Sequence, residues 1–306
     1  MSIIKTFIFD PIESVALDYA KKHLDIVDWT DKGINNYSQA EAVIIRTFKM
    51  TKEVIDKMPE LKIIAKHGVG LDNIDLDYAK SKGIKVTNTP LANINSVAEL
   101  VVALALNCAK KINLSHQLVT QGISKIAPFE LTGFEIQNKT VGLVGLGRIG
   151  TLVGKKLKNG FDMKVGVYDP YTSKQKCEEE GFIKYEQLND LIKASQVISI
   201  SVPLTKDTEN LISHKEFSLM EPNTIVINTS RGKVVDENAL YESLNQEKIF
   251  GAALDVFAEE PVSKDHPLFT CNNFIGTPHN GANTKEALIR MGTGAVDEII
   301  NISSNN

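Results

Sequence analysis

Short apolar runs alternate along most of the chain with segments whose apolar positions recur at helical spacing. In the first part, runs at 5–9, 42–45, 62–65 and 85–87 read as strands, and 14–23, 52–58 and 76–82 read as helices. A longer helix is expected over 96–111. Residues 113–138 carry no clear period and read as a partly irregular excursion. The alternation restarts at Thr140, with strands expected at 141–144, 164–168, 197–201, 225–228, 251–255 and 274–275. Several of these runs are apolar throughout, as in strands buried on both faces. The last segment, 284–302, reads as one helix with Ala287, Leu288, Met291, Ala295 and Ile299 on a common stripe. Alternating strands and helices imply parallel sheets covered by helices. The expectation is an α/β protein with two doubly wound halves.

Composition narrows the class only modestly. With 306 residues, two domains are the better expectation. A net charge of −4 argues against nucleic acid or an anionic membrane as the main partner. Cys108, Cys177 and Cys271 lie far apart without a Cys-x-x-Cys pair, which suggests reduced thiols in a cytoplasmic protein and no metal site. The N-terminal apolar run is strand-length and interrupted by Lys5 and Asp10, unlike a signal peptide. The strongest apolar stretch, 97–109, is too short to span a bilayer and contains Glu99 and Asn107.

The first candidate for chemistry is the run VGLVGLGRIG at 141–150, followed by a second apolar run that closes at Asp169. A glycine-rich turn between strand and helix, with an acid ending the next strand, is the layout of a dinucleotide-binding crossover. Gly145 would make the turn, Gly147 would admit a pyrophosphate to the backbone, and Gly150 would let helix and sheet approach. The N–H groups that open the helix suit a phosphate. Asp169 can accept from ribose hydroxyls and repels a 2′-phosphate, and neither Pro170 nor Tyr171 offers a compensating cation. NAD is expected rather than NADP.

Three further residues follow expected strands and could act on a carbonyl or hydroxyl. Arg231 could bind a carboxylate and polarise an adjacent carbonyl. His279 could exchange a proton near neutral pH. Glu260 could pair with an imidazole. Taken singly, each has an ordinary reading: a surface ion-pair arginine, a structural histidine, a solvated glutamate. In the first half, Gly68 and Gly70 flank Val69 after a strand, a turn that can present successive N–H groups to an anion or simply join strand to helix. Arg46 ends another strand and could meet a second anionic group, or a surface carboxylate.

The runs KHGVGLDNID (66–75), NSVAEL (95–100), VGLVGLGRIG (141–150), VPLTKDT (202–208), INTSRGKVVDENAL (227–240), ALDVFAEEP (253–261) and TPHNGANTKEA (277–287) together resemble the D-isomer-specific 2-hydroxyacid dehydrogenases over nearly the whole chain. The resemblance implies a Rossmann cofactor domain, 95–283, inserted into a flavodoxin-like substrate domain, 1–94 with 284–306. It implies Arg231 as the substrate-carboxylate ligand, His279 as general acid/base and Glu260 as its partner. It places Gly147, Arg148, Ile149, Asp169, Val202, Pro203, Thr208, Thr229 and Asp255 around NAD, and Val69 and Gly70 at the substrate carboxylate. It also implies a homodimer paired through the cofactor domain. Two positions depart from the pattern: Ser201 stands where relatives commonly carry histidine, and Asn138 where they commonly carry glycine.

Within the family the chain is most similar to short-type 3-phosphoglycerate dehydrogenases, which oxidise the 2-hydroxyl to 3-phosphohydroxypyruvate in serine biosynthesis. Arg46 matches an arginine near the substrate phosphate there, and Lys66 would add charge. The chain ends at Asn306 just after the closing helix, so no regulatory module is expected. Glyoxylate and hydroxypyruvate reductases carry similar residues and are the alternative. Corepressors of the C-terminal-binding-protein type share the same pattern and offer a different class, an NAD-sensing interaction protein.

Overall fold

A computed structural model describes residues 4–32, 34–123 and 130–304. The chain forms two compact units, Met1–Ser96 with Ala282–Asn306, and Val97–Gly281.

The first unit holds five parallel strands, β1 (Lys5–Ile8), β2 (Asp25–Asp28), β3 (Ala42–Ile45), β4 (Ile63–Lys66) and β5 (Lys85–Thr87). They lie in the order β2-β1-β3-β4-β5, the flavodoxin-like arrangement. Every residue of β3 and β4 is buried, so the uninterrupted apolar runs AVII and IIA belong to central strands. Successive side chains divide between the faces. Ile8, Ile44 and Ile63 pack with Ala295, Val296 and Ile299 of the terminal helix Lys285–Ser304. Phe7, Val43, Ile45 and Ile64 pack on the other face with Met50, Ile55 and Ala79. The edge strand β2 was not expected. Its sequence, Asp-Ile-Val-Asp, has too little apolar character to announce a strand, and parallel pairing with β1 sustains it.

The second unit holds seven parallel strands: β6 (Thr140–Val144), β7 (Lys164–Tyr168), β8 (Ile183–Lys184), β9 (Val197–Ile200), β10 (Ile225–Asn228), β11 (Gly251–Leu254) and β12 (Phe274–Gly276). Their order is β12-β11-β10-β9-β6-β7-β8. Read from β8, this is the Rossmann order with one added strand, and it reverses direction between β6 and β9. The loops that leave β6 and β9 therefore border the crevice where such sheets take ligands. Ala98, Val101, Leu104 and Ala105 of helix Ile94–Lys110 pack with Val141, Leu143, Ile225 and Ile227 on one face. Val144, Ile198, Ile200 and Val226 turn to the other face, against Leu240 and Leu244.

Part of the expected irregular stretch is helical. Helix Ile112–Thr120 follows Lys111, whose left-handed φ of 51° redirects the chain. None of its residues is buried. Residues 124–129 of that stretch lie outside the described residues. Asn138 has a φ of 60°, a region where asparagine is the common substitute for glycine.

Candidate active site

The glycine turn is built by close contacts. Gly145 has a φ of +95°, and a Cβ there would lie 2.8 Å from the Val202 side chain. A Cβ on Gly150 would collide with the Gly145 carbonyl oxygen. These two glycines let the loop after β6 fold tightly against the loop after β9. Gly147 differs. It caps helix Arg148–Phe161, and a Cβ there would meet nothing within 4 Å. The open space lies over the N–H groups of the helix start, where an anion is favoured. Ser201 Oγ, beside this turn, is buried with no hydrogen-bond partner among the described residues. An orphaned hydroxyl and an open helix N-terminus fit a phosphate-bearing group.

Asp169 follows β7 directly. One carboxylate oxygen accepts from the Leu146 N–H at 2.8 Å, the other from the Tyr171 N–H at 2.8 Å. The acid thus braces the glycine turn. Pro203 and Thr208 form a closed turn after β9, in which Thr208 Oγ1 donates to the Pro203 carbonyl at 2.6 Å and accepts from the Thr205 N–H at 2.7 Å.

Arg231 sits past the end of β10, with Thr229 and Ser230. Asn228, fully buried, organises this turn: its Oδ1 accepts from the Ser230 N–H at 3.0 Å, and its Nδ2 donates to the Arg231 carbonyl at 2.8 Å. The Arg231 guanidinium is half-buried and donates to the Ser230 carbonyl at 2.7 Å. Gly232 follows, and any Cβ there would strike the Phe257 carbonyl and the Ala258 nitrogen. The Arg231 loop therefore abuts the loop that carries Glu260.

His279 and Glu260 meet. His279 Nδ1 lies 2.8 Å from Glu260 Oε2, and Glu260 Oε1 accepts from the Phe257 N–H at 3.1 Å. Both side chains keep access to solvent, at 51% and 38%. A carboxylate can only accept, so Nδ1 carries the proton and Nε2 is the ring nitrogen left to exchange one. His279 has a φ of 50°, a conformation held from below by Asp255. That carboxylate is 2% exposed. It accepts from Thr277 Oγ1 at 2.5 Å, the Asn280 N–H at 2.7 Å and the Gly281 N–H at 2.8 Å. Asp255 was expected at the cofactor; its oxygens are engaged by the 277–281 turn. Its bracing role, like that of Asn228, was not read from the sequence, where only their positions at strand ends hinted at it.

In the first unit, Arg46 follows β3. Its N–H donates to Asp10 at 2.7 Å, its carbonyl accepts from Lys66 Nζ at 2.6 Å, and its Nη2 donates to Asn283 at 3.4 Å. Lys66 also donates to Asn73 Oδ1 at 2.5 Å. Its ammonium is buried and fixes the Arg46 loop instead of facing outward as an added charge. The 68–70 turn is tied to the next strand: the Gly68 N–H donates to Thr89 Oγ1 at 3.1 Å, and Asn88 Nδ2 donates to the Val69 carbonyl at 2.7 Å. Val69 itself is exposed.

The profile of the "D-isomer specific 2-hydroxyacid dehydrogenase, NAD binding domain" matches residues 102–281. The chain belongs to the D-isomer-specific 2-hydroxyacid dehydrogenase family. The D-3-phosphoglycerate dehydrogenase of Methanocaldococcus jannaschii is 39% identical over 97% of this chain. The chain spans 57% of the length of that relative. The glyoxylate reductase of Thermococcus litoralis is 40% identical over 92% of this chain and 88% of its own. Among solved structures, the D-lactate dehydrogenase of Aquifex aeolicus, crystallised with NAD and lactic acid, superposes with a TM-score of 0.83 at 33% identity, covering 98% of this chain and 96% of that one. As a member of the 2-hydroxyacid dehydrogenases, the chain carries their NAD-binding domain in its second unit, which is where the glycine turn and Asp169 lie.

Proposed function

We propose that the protein is an NAD-dependent dehydrogenase of D-2-hydroxy acids, acting on D-3-phosphoglycerate. The observation that carries this reading is the 2.8 Å contact between His279 Nδ1 and Glu260 Oε2, on a loop packed against the turn that bears Arg231. Glu260 holds the ring so that Nε2 takes the proton of the substrate 2-hydroxyl in oxidation and returns it in reduction. Arg231 binds the substrate carboxylate in the planar, two-pronged manner that a guanidinium allows. NAD, when bound, supplies the two-electron acceptor or donor. Its pyrophosphate is assigned to the turn of Gly145, Gly147, Arg148, Ile149 and Gly150, and its adenosine ribose to Asp169. Val202, Pro203, Thr208 and Thr229 are assigned to the adenine and nicotinamide halves, with Asp255 acting through the 277–281 turn.

In the first unit, Val69 and Gly70 are assigned to the substrate carboxylate and Arg46 to the phosphate. The choice of a phosphorylated acid rests on Arg46, whose backbone is anchored on both sides while the guanidinium stays half-exposed. The 40% identical glyoxylate reductase carries the second reading, reduction of glyoxylate or hydroxypyruvate. We assign the protein to the cytoplasm on its three free cysteines. We further assign it to a homodimer through the second unit, where Ile112 and Val119 are exposed on one helix. Sedimentation analysis tests the dimer.

His279→Ala tests the central assignment. Turnover should fall by about a hundredfold or more, with NAD affinity kept, and wild-type turnover in that variant would refute it. Arg46→Ala separates the substrates. It should raise KM for the phosphorylated acid far more than for hydroxypyruvate, and equal effects would remove the phosphate.

A further inference from the structure

The Glu260 loop is gripped on both sides by one side chain that touches neither Glu260 nor His279. Glu237 Oε1 accepts from the Ala258 N–H at 2.7 Å, two residues before Glu260. Glu237 Oε2 lies 3.2 Å from His266 Nε2, beyond it. The tautomer of His266 follows from its other nitrogen, which accepts from the Leu268 N–H at 3.4 Å. Nε2 therefore carries the proton and donates to Glu237. The clamp is largely shielded, with side chains 15% exposed for Glu237 and 19% for His266. Behind it the Phe257 ring meets His266 edge-on at 5.8 Å and Phe269 at 5.9 Å.

Glu237 is itself well fixed. It is the first residue of helix Glu237–Asn245, whose N-cap Asp236 accepts from the Asn238 and Ala239 N–H groups. That helix is buried through Ala239, Leu240 and Leu244. The short 3-10 helix Gly232–Val234 leads into it directly from Arg231. One segment thus runs from Arg231 to Glu237 and reaches across to the neighbouring loop.

We propose that Glu237 is a positioning residue for the Glu260–His279 pair. It fixes both flanks of the loop so that Glu260 is presented to Nδ1 of His279, and it keeps that loop in register with Arg231. This rests on the reading that Glu260 and His279 form the acid/base pair. A loop held by its two flanks presents its middle residue without a contact to it. An arrangement in which about 1 Å of misplacement can cost about a hundredfold in rate makes such a holder matter.

The test is a double-mutant cycle on the full-length protein with NAD and D-3-phosphoglycerate. Glu237→Ala should lower kcat by about ten- to a hundredfold while KM for NAD and its binding constant stay within about threefold. The pH profile of kcat in Glu237→Ala should come to resemble that of Glu260→Ala. Adding Glu260→Ala to Glu237→Ala should then cost less than about threefold more, because Glu260 is already out of place. Glu237→Gln keeps an acceptor for the Ala258 N–H but faces His266 with a donor, and should fall between Glu237→Ala and wild type. Multiplying effects of Glu237→Ala and Glu260→Ala would overturn the proposal. So would loss of NAD binding together with turnover in both Glu237 variants, since Glu237 would then hold the domain as a whole. His279→Ala in the same assay separates the two failures. Wild-type turnover there sinks the acid/base reading and this proposal with it. An inactive His279→Ala beside an unaffected Glu237→Ala sinks this proposal alone.

Discussion

His67 should make the first unit sensitive to mild acid. The imidazole is 2% exposed, and burial first, then the Arg46 charge, lowers its pKa from the ordinary 6.5 to about 4. The hydrogen bonds agree with a neutral ring. Nε2 lies 3.2 Å from the Leu288 carbonyl, which can only accept, so Nε2 holds the proton. Among the described residues Nδ1 has no hydrogen-bond partner beyond its own backbone, so burial weighs against a second proton there. The sign follows from linkage. As pH falls below 6.5 the unfolded chain takes up a proton that the folded chain refuses until about pH 4. The stabilisation is complete above the unfolded value and is lost across this window, and the gap corresponds to about 3 kcal/mol. Asp10, near the same turn, titrates below the window. Burial alone would raise its pKa, but the Thr47 hydroxyl and the Arg46, Phe48 and Thr47 N–H groups outweigh that and hold it below 3.8. Urea unfolding followed by fluorescence of Trp29, the sole tryptophan and a neighbour of the first unit's core, reads the right part of the molecule. Between about pH 7 and about pH 4 the wild type should lose about 3 kcal/mol more than His67→Gln, which keeps a donor for Leu288. Parallel curves for the two proteins would refute this reasoning.

Gly150→Ala should drive its Cβ into the Gly145 carbonyl and open the glycine turn; NADH affinity measured by dihydronicotinamide fluorescence should drop by about tenfold or more, and unchanged affinity would show that the turn adjusts. Asp255→Asn keeps the shape but turns an amide donor toward either the Gly281 or the Asn280 N–H. Leaving such a group unmatched should cost about 1–3 kcal/mol in urea unfolding, with a fall in kcat as the His279 turn loosens. Ile299→Ala, at a fully buried position beneath the first sheet, should cost about 2–5 kcal/mol of stability, read from the same Trp29 transition, with little change in NAD affinity.

Most strands could be read from sequence, the edge strands Lys85–Thr87 and Phe274–Gly276 included, and those that burial makes apolar, such as Ala42–Ile45 and Ile225–Asn228, are the plainest. Two other edge strands were missed. Asp25–Asp28 and the two-residue strand Ile183–Lys184 exist through pairing with a neighbour, which no local pattern reports. The same limit governs the site. Arg231, Glu260 and His279 could be named as chemistry following strands, because charged and titratable residues stand out after apolar runs. Their supports could not, since the Glu237 contact with Ala258 and the Asp255 contact with Gly281 depend on which strands lie side by side. Lys66 illustrates the converse. A lysine at a strand end looks like a free cation, and only the packing of Arg46 and Asn73 around it shows its charge used internally.

One device recurs at the carboxyl edges of both sheets. Asp10, Asp169 and Asp255 each stand one or two residues past a strand, and each accepts N–H groups from the loop after the adjacent parallel strand. Asp10, past β1, takes the N–H groups of Arg46, Thr47 and Phe48 after β3. Asp169, past β7, takes that of Leu146 after β6, and Asp255, past β11, takes those of Asn280 and Gly281 after β12. Loops at this edge have left the ladder, so their N–H groups need acceptors from elsewhere. A neighbouring carboxylate meets that need with charge-assisted bonds worth about 1.5–3 kcal/mol each. The braced loops are the ones proposed to hold the substrate phosphate, the dinucleotide and the proton-transferring imidazole. On the proposed reading, each acid sets ligand geometry through the backbone of the next loop. For Asp169 this means that a substitution made to change cofactor preference also releases the Leu146 N–H, and loosens the turn whose cofactor it was meant to change.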